Sequence, residues 1–254
     1  MPSKAKDLLR IENHILLSLP KLEYEELLPD LEWIELPLNK ILYEAGELIH
    51  CAYFINTGMA SLIAANSEGG SVEIGVIGNE GILEMQVIMG AKRASYRSIV
   101  QIPGQALKIS RDALTHHFHT QRVLHDQLLR FYQVLHNQIS QSVVCNRFHT
   151  FEQRLCRWLL VTAEHADKND FPFTHEFVSL MLGANRATVT ETFGNLKKAG
   201  LILQRRGLIQ ILDRRRMETA ACECYRANKR DLEELHRLQK PRKSLTPRAY
   251  YQSV

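Results

Sequence analysis

The sequence predicts an α+β protein with an N-terminal jelly-roll β-barrel domain, a long helix and a C-terminal winged helix-turn-helix domain. Short β-forming runs separated by Gly and Pro occupy residues 34–109, and a helical pattern then runs from about Arg111 to Asn146. Two further helical periods meet at Gly183. We expect a roll over 1–110, the long helix over 111–149, the winged domain with a C-terminal helix over 150–240, and a disordered tail over 241–254.

The N-terminal half is predicted to begin with short helices over residues 8–30, broken at Pro20 and Pro29. Seven strands follow, at 34–38, 41–43, 52–56, 61–65, 72–77, 98–102 and 106–109. Glycines lie between these runs, among them Gly58 and the Pro103-Gly104 pair, and each can supply a turn. Strands of this length and spacing are typical of a β-sandwich or barrel.

The long helix carries an apolar seam that resembles a coiled-coil repeat. Its residues follow one another in steps of three and four: Leu124, Leu128, Phe131, Leu135 and Ile139. The seam is compatible with packing on the helix's own domain or with pairing to a second copy. We favour a homodimer, because a helix-turn-helix usually reads two half-sites through two-fold symmetry.

The C-terminal pattern has a chemical signal at each boundary. Thr150 and Gln153 match a capping box, Thr174 and Asn185 can each cap a helix, and Gly183 can supply the turn between those two helices. Two short strands follow, over 201–204 and 208–212, around a basic turn at Arg205, Arg206 and Gly207. A last helix is expected from Asp213 to about His236. A helical hairpin buried in a larger core is the alternative interpretation.

The outward face of the second helix carries groups suited to nucleic acid. Arg186, Ala187, Thr190 and Glu191 are predicted to face base edges, with Lys197 and Lys198 one turn further on and Arg205 and Arg206 on the wing facing phosphates. Charge is distributed accordingly. Residues 1–150 carry 13 Lys and Arg against 16 Asp and Glu, whereas residues 151–254 carry 19 against 12. The basic half therefore contains the helix-turn-helix, as double-stranded DNA requires of a partner.

The five cysteines are scattered and odd in number, which argues against a disulfide framework. We interpret Cys222 and Cys224, on one predicted helix, as packing residues, and His116, His117 and His119 as solvated side chains, so no metal site is predicted. The sequence has no apolar run of transmembrane length and no signal-peptide core, so we expect a cytoplasmic protein without a membrane partner.

The order of parts resembles the Crp/Fnr superfamily of bacterial transcription regulators up to about Leu212. Specific similarities are G-E-L-I-H-C-A-Y-F-I-N-T-G from Gly46 and R-L-C-R-W-L-L from Arg154. The resemblance places Arg186 at the family's guanine-reading position and Thr174, Asn185 and Thr188 at phosphate-contacting positions. It implies a regulatory role, with RNA polymerase as a further partner. The iron-sulfur members need clustered N-terminal cysteines, and this chain has none before Cys51.

Two departures from the family pattern are visible. The cyclic-nucleotide cassette is not intact: Glu84 does not follow a Gly, and Arg93, Ser95, Arg97 and Ser98 do not form the adjacent Arg-Ser pair in register. These five residues remain the candidate ligand pocket, for an effector that the sequence does not identify. Ala187 and Glu191 also differ from the reading positions of the cyclic-AMP receptor, so a different operator is expected.

Two other functions are consistent with parts of the sequence. A regulator of the same fold without a ligand would be controlled by its abundance. A cupin-type metalloenzyme with an accessory DNA module would need an H-x-H pair and a Glu on barrel strands, and the roll strands offer only His50. We therefore predict a regulator and not an enzyme.

Overall fold

The computed structural model describes residues 10–166, 169–205 and 208–239. The N-terminal part comprises helices α1 (His14–Ser18) and α2 (Lys21–Leu27), a 3₁₀ turn (Leu28–Asp30), and strands β1 (Leu31–Leu36), β2 (Ile41–Tyr43), β3 (Cys51–Ala65), β4 (Ser71–Ile77), β5 (Ile82–Leu83) and β6 (Arg97–Ser110), with a 3₁₀ helix (Met85–Met89) between the last two strands. The short helices and their break at Pro20 agree with the prediction.

The C-terminal part is mainly helical. It comprises α3 (Arg111–Thr120), α4 (Arg122–Phe148), α5 (Phe151–Ala166), β7 (Asp170–Phe171), α6 (His175–Leu182), α7 (Arg186–Lys198), β8 (Ile202–Arg205), β9 (Leu208–Ile211), α8 (Arg214–Ala220) and α9 (Cys224–Leu238). Strands β7, β9 and β8 form a three-stranded antiparallel wing, of which the first strand was not predicted. In the part of the chain that the structure describes, no helix is long and apolar enough to cross a membrane.

The six N-terminal strands form one antiparallel sheet in the order β1-β6-β3-β4, with β2 on β6 and β5 on β3. The sheet is jelly-roll-like and is not closed into a barrel. Four of the predicted strands merge into two, because β3 continues through Gly58 and β6 continues through Pro103-Gly104. The register between these strands shifts around Thr57, where Gly58 has φ +80° and a Cβ at Gly104 would overlap the Thr57 carbonyl oxygen. Both glycine sites are therefore bulges within long strands, not turns.

The predicted long helix is two helices with a break at Gln121, whose backbone is extended. The break is stabilised from α2. The Glu23 carboxylate accepts hydrogen bonds from the backbone N–H groups of Val123 and Leu124 at 3.1 and 3.0 Å. Gln121 Nε2 donates in turn to Glu23 O at 3.0 Å. A side chain about a hundred residues away in sequence thus caps α4.

The predicted dimer seam of α4 is buried within its own chain, which corrects the prediction. Leu124, Leu128, Phe131 and Leu135 are at most 5% exposed and belong to the hydrophobic core of the roll, with Ile139 packed half-buried at its edge. The packing on Gly81 is close, since a Cβ there would overlap the Phe131 ring. The apolar period of this face therefore reflects intramolecular packing.

A second core joins the roll to the winged domain. Met59, Ile63 and Val76 from the roll pack with Trp158 and other buried side chains of the winged domain. Polar contacts cross the same boundary. Gln101 Nε2 donates to Thr162 Oγ1 at 3.0 Å, and Ser71 Oγ donates to Leu180 O at 3.2 Å. The roll and the winged domain therefore share part of their packing.

The C-terminal helix is also interrupted. Asp213 caps α8 by accepting from Arg216 N at 3.0 Å, as predicted, but the helix ends at Ala220 and α9 begins at Cys224. Helix α9 packs along α4, where Asn137 Nδ2 donates to Asp231 Oδ2 at 3.0 Å. The predicted tail over 241–254 and the turn residues Arg206 and Gly207 lie outside the described residues.

Candidate nucleic-acid interface

The helix-turn-helix has the caps and the turn that its sequence predicts. Thr174 Oγ1 accepts from Phe177 N at 3.1 Å at the start of α6, and Asn185 Oδ1 accepts from Thr188 N at 2.8 Å at the start of α7. Gly183 adopts the left-handed conformation with φ +59° at the end of α6. Ser179 Oγ donates to Ala184 O, which ties α6 to the turn. The capping box of α5 also forms, with Gln153 N donating to Thr150 Oγ1 at 3.3 Å.

One side chain that the sequence analysis missed holds these elements together. The ring of His175 stacks on Phe193 with centroids 4.9 Å apart. Its Nδ1 lies 2.9 Å from Thr190 Oγ1, and its Nε2 lies 2.7 Å from Gln204 Nε2 on the wing. Because the Gln204 amide donates, Nε2 is the acceptor and Nδ1 carries the hydrogen. Its position as the first residue of α6, next to the cap, is the only sequence signal for this role.

The outer face of α7 is exposed and basic. Arg186, Ala187, Thr190 and Glu191 are exposed at its N-terminal end, and Lys197 and Lys198 at its C-terminal end. Within the described residues, the charged side chains of this face form no ion pair. The Thr190 hydroxyl is partly engaged, because it donates to Arg186 O at 2.9 Å and accepts from His175. Arg186 is therefore the strongest free donor for a guanine edge.

The predicted phosphate-contacting residues surround this face. The oxygens of Thr174 and Asn185 are used in capping, but the structure describes no hydrogen bond from Asn185 Nδ2, which leaves an amide donor exposed beside the N-terminus of α7. Thr188 Oγ1 donates to Asn185 Oδ1 at 3.0 Å. Arg205 is exposed at the end of β8. A helix N-terminus with such donors suits a phosphate group. Arg206 lies outside the described residues.

The candidate ligand residues of the roll are only partly assembled. Glu84 and Ser98 are buried and meet, with Ser98 Oγ donating to Glu84 Oε1 at 3.0 Å. Arg93 instead donates to Gly46 O at 2.7 Å, Arg97 pairs with Glu44 at 2.8 Å, and Ser95 is exposed. Of the five predicted residues the structure therefore brings together only Glu84 and Ser98, because both arginines have partners at the surface of the roll.

The Glu84 carboxyl is nevertheless unusual. Glu84 is the residue before a 3₁₀ helix and has a left-handed backbone with φ +60°, but its side chain does not cap that helix. The carboxyl instead accepts a second hydrogen bond, from Gln86 Nε2 at 2.6 Å. Burial raises the pKa of Glu84 to about 7, although the hydrogen bonds from Ser98 and Gln86 act in the opposite direction. Near neutral pH this carboxyl is present in both its charged and its neutral form.

The contact between the roll and the winged domain contains a buried ion pair. His165 Nε2 of α5 lies 3.5 Å from Glu80 Oε1, which follows β4. Burial disfavours charge on both groups, but their mutual attraction outweighs it. The pKa of His165 is raised to about 9, and the pKa of Glu80 is lowered to about 2.

Two predictions about potential metal ligands need correction. His117 is buried, with Nε2 2.8 Å from Asp30 Oδ2, whereas His116 and His119 are exposed as expected. Cys222 and Cys224 do not lie on one continuous helix, and both meet Cys145. Among the described residues, this trio is the only group of three or more potential ligands, and it does not include His50. The arrangement gives no support to a cupin-type centre.

Comparisons with known proteins agree with this architecture. The family model for the cyclic nucleotide-binding domain matches residues 33–121, and the model for the Crp-like helix-turn-helix domain matches residues 153–220. No curated protein matches the sequence significantly.

Solved structures show the same fold. FixK2 from Bradyrhizobium japonicum superposes with a TM-score of 0.64 at 13% identity, over 76% of this chain and 98% of its own. The c-di-GMP responsive global regulator CLP from Xanthomonas campestris gives 0.64 at 14%, over 76% and 100%. A Crp/Fnr-family regulator from Thermus thermophilus gives 0.64 at 18%, over 75% and 98%.

The two matched domains occur in the predicted order and account for the roll and for the helix-turn-helix with its wing. Helix α4 joins them, as the resemblance implies. The chain belongs to the Crp/Fnr superfamily of transcription regulators.

Proposed function

We propose that the protein is a sequence-specific transcription regulator that binds double-stranded DNA as a homodimer. The observation that carries this proposal is the capped helix α7, which exposes Arg186, Ala187 and Glu191 on a basic face without ion pairs among the described residues. Arg186 reads a guanine through O6 and N7, Ala187 contacts a thymine methyl, and Glu191 accepts from a cytosine amine. Thr190 contributes through its remaining hydrogen-bonding capacity.

The phosphate contacts come from the surrounding donors. Thr174, Asn185 and Thr188 contact the backbone beside the helix N-termini, and Lys197, Lys198, Arg205 and Arg206 contact it further out. We assign residues 1–110 to the sensor roll, residues 111–149 to the connecting helices and residues 150–240 to the DNA-binding part. We assign the protein to the cytoplasm, where RNA polymerase is the partner of such a regulator.

The homodimer uses a different face of α4 from the one predicted. Leu129, Tyr132 and Val143 are 42, 37 and 68% exposed, although they are large apolar residues. With the exposed His136 they follow steps of three, four and seven, so α4 carries a second heptad-like stripe. The seam described above packs on the roll, whereas this second stripe faces outward. A second copy of α4 is the natural occupant of an outward heptad stripe.

The role of the roll as a sensor rests on Glu84 and Ser98 alone, since the arginines that would hold a cyclic nucleotide phosphate have other partners. Thermal unfolding with cyclic mononucleotides and dinucleotides distinguishes a sensor from the ligand-independent alternative. A compound that raises Tm by mass action identifies an effector class. Unchanged Tm values with all of them favour the regulator without a ligand.

Fluorescence anisotropy with a labelled duplex of random sequence tests DNA binding without knowledge of the operator. We expect the affinity to fall steeply between about 50 and 200 mM salt, because phosphate contacts release counterions. The variant Lys197→Ala/Lys198→Ala should have a shallower salt slope by about two ions. Lys21→Ala, at the opposite end of the chain, serves as the control. Affinity that is insensitive to salt, or equal slopes for all three proteins, would contradict the proposal.

A further inference from the structure

Three buried thiols converge at the end of α4. Cys145, Cys222 and Cys224 are at most 3% exposed and form a separate cluster, apart from the two large cores. Their sulfur atoms all lie within 4.8 Å of one another, and the Sγ atoms of Cys145 and Cys222 are 3.5 Å apart. All three residues lie outside the segments that match the two domain families, which end at 121, begin again at 153 and end at 220.

The chain brings these thiols together through the break between α8 and α9. On one continuous helix, Cys222 and Cys224 would point to different faces. Because α8 ends at Ala220 and α9 starts at Cys224, Cys222 belongs to the connection and both sulfurs reach the last turns of α4. Gln141 Nε2 donates to Cys224 Sγ at 3.1 Å and so holds the Cys224 sulfur in place.

Positively charged side chains interact with the cluster. Arg157 is 8% exposed, its Nε makes no hydrogen bond among the described residues, and its positive charge acts on Cys145 and Cys222. Arg154 and His149 also interact electrostatically with Cys145. Arg157 also interacts with the buried Glu73 carboxylate, and thiolates at the cluster would add to the negative charge already beside it.

The spacing of the sulfurs fits one metal ion. A tetrahedral ion with Zn–S bonds of about 2.3 Å holds its sulfurs about 3.8 Å apart. The observed separations, from 3.5 Å to at most 4.8 Å, reach this geometry with side-chain adjustments of about 1 Å or less. Soft thiolate sites select ions such as Zn²⁺ and Cu⁺ over Mg²⁺ or Ca²⁺.

We propose that Cys145, Cys222 and Cys224 form a three-thiolate site for one soft d¹⁰ metal ion, represented by Zn²⁺. The ion links the C-terminal end of α4 to the α8–α9 connection, next to the junction of α4 with α5. The bound ion stabilises the packing of the C-terminal segment on α4. This site is independent of whether the protein binds DNA, so its test needs no duplex.

The test uses the full-length protein, reduced and freed of metal with a chelator, then titrated with Zn²⁺ against a competing chelator. We expect one Zn²⁺ per chain, a rise in Tm, and thiolate-to-metal absorption when Cd²⁺ replaces Zn²⁺. Cys145→Ser, Cys222→Ser and Cys224→Ser should each weaken binding by more than about tenfold. Cys51→Ser, which removes a half-buried thiol on β3, is the matched control and should bind as the wild type does.

Three results would overturn the site. The wild-type protein binds less than stoichiometric Zn²⁺, which requires no variant and is therefore independent of whether the variants fold. Zn²⁺ binds without raising Tm, as it would to thiols of unfolded chains. The Cys51→Ser variant loses Zn²⁺ as strongly as the Cys222→Ser variant does.

Discussion

Arg186 is the residue at which specificity is concentrated, because it is exposed at the N-terminal end of α7 and unpaired within the described chain. We expect Arg186→Ala to cost about 1–3 kcal/mol on a selected duplex and to relax the preference at one base pair. Anisotropy titrations on the selected and on a random duplex measure this effect.

Lys197→Ala is the matched control for that substitution. Lys197 is exposed on the same helix but faces phosphates, so its loss should weaken binding to both duplexes by similar factors. Equal losses on both duplexes for Arg186→Ala would show that Arg186 does not read a base.

His175 stabilises the helix-turn-helix through its contacts with neighbouring side chains. It contacts Thr190 and Gln204 and stacks on Phe193, so it fixes α6, α7 and the wing relative to one another. We expect His175→Ala to lower the unfolding free energy by roughly 1–2 kcal/mol, since it removes one partly buried and one exposed hydrogen bond and a ring contact. Chemical denaturation measures it. His116→Ala replaces an exposed histidine on α3 and should change the unfolding free energy little. A loss as large as that of His175→Ala would show that the His175 contacts do not stabilise the fold.

At the scale of the element, α4 depends on a cap supplied by α2. Glu23→Ala removes the acceptor of the Val123 and Leu124 backbone N–H groups. The expected loss of unfolding free energy is about 1–2 kcal/mol, as for other helix caps. Glu25→Ala disrupts only an exposed pair with Lys21 at 3.7 Å and should cost less than about 0.5 kcal/mol. Equal losses in the two variants would mean that the Glu23 cap does not stabilise α4.

The same elements show what could be predicted from the sequence. The helix-turn-helix was predictable because its determinants are local: Thr174 and Asn185 cap their own helices and Gly183 lies between them. The break at Gln121 was not, because its stabilising carboxylate is distant in sequence. Likewise the apolar period of α4 indicates a helix with a buried face, but a period alone cannot say whether a roll or a second copy covers it.

In the candidate site, too, features set by local sequence were predictable and features set by tertiary contacts were not. Exposure of Arg186 and Glu191 was predictable from helical period, whereas the His175 network and the meeting of Cys145 with Cys222 depend on tertiary packing. The pocket residues Arg93 and Arg97 were misplaced because their partners, Gly46 O and Glu44, lie about fifty residues earlier.

At the scale of the whole molecule, the outward stripe of α4 predicts the oligomeric state. Leu129→Asp/Val143→Asp places two charges on this stripe and should shift a dimer toward monomer in sedimentation velocity. The fold should be retained, because both residues are exposed in the single chain. Arg130→Asp, which changes a neighbouring exposed position, is the control. A monomeric wild-type protein, or dimers of unchanged affinity, would contradict this interface.

The contact between the roll and the winged domain predicts a pH dependence. The raised pKa of His165 means that its contribution is fully present below the unfolded value of 6.5 and is lost as pH rises through about 9. For Glu80, whose pKa is lowered to about 2, the contribution is present above 4.5 and lost only in strong acid. Wild-type stability should therefore fall between pH 6.5 and 9.5 by on the order of 1–3 kcal/mol more than that of Glu80→Gln/His165→Gln. Parallel curves for the two proteins would rule out the pair as the cause.

The most direct test of the central claim is selection of bound duplexes from a random-sequence library by the full-length protein. We expect a sequence with two inverted half-sites, whose centres lie about 10 base pairs or a multiple of that apart, and a guanine preference that Arg186→Ala relaxes. No enriched sequence, or an enriched sequence that Arg186→Ala selects unchanged, would contradict the assignment of α7 as the reading helix of a symmetric dimer.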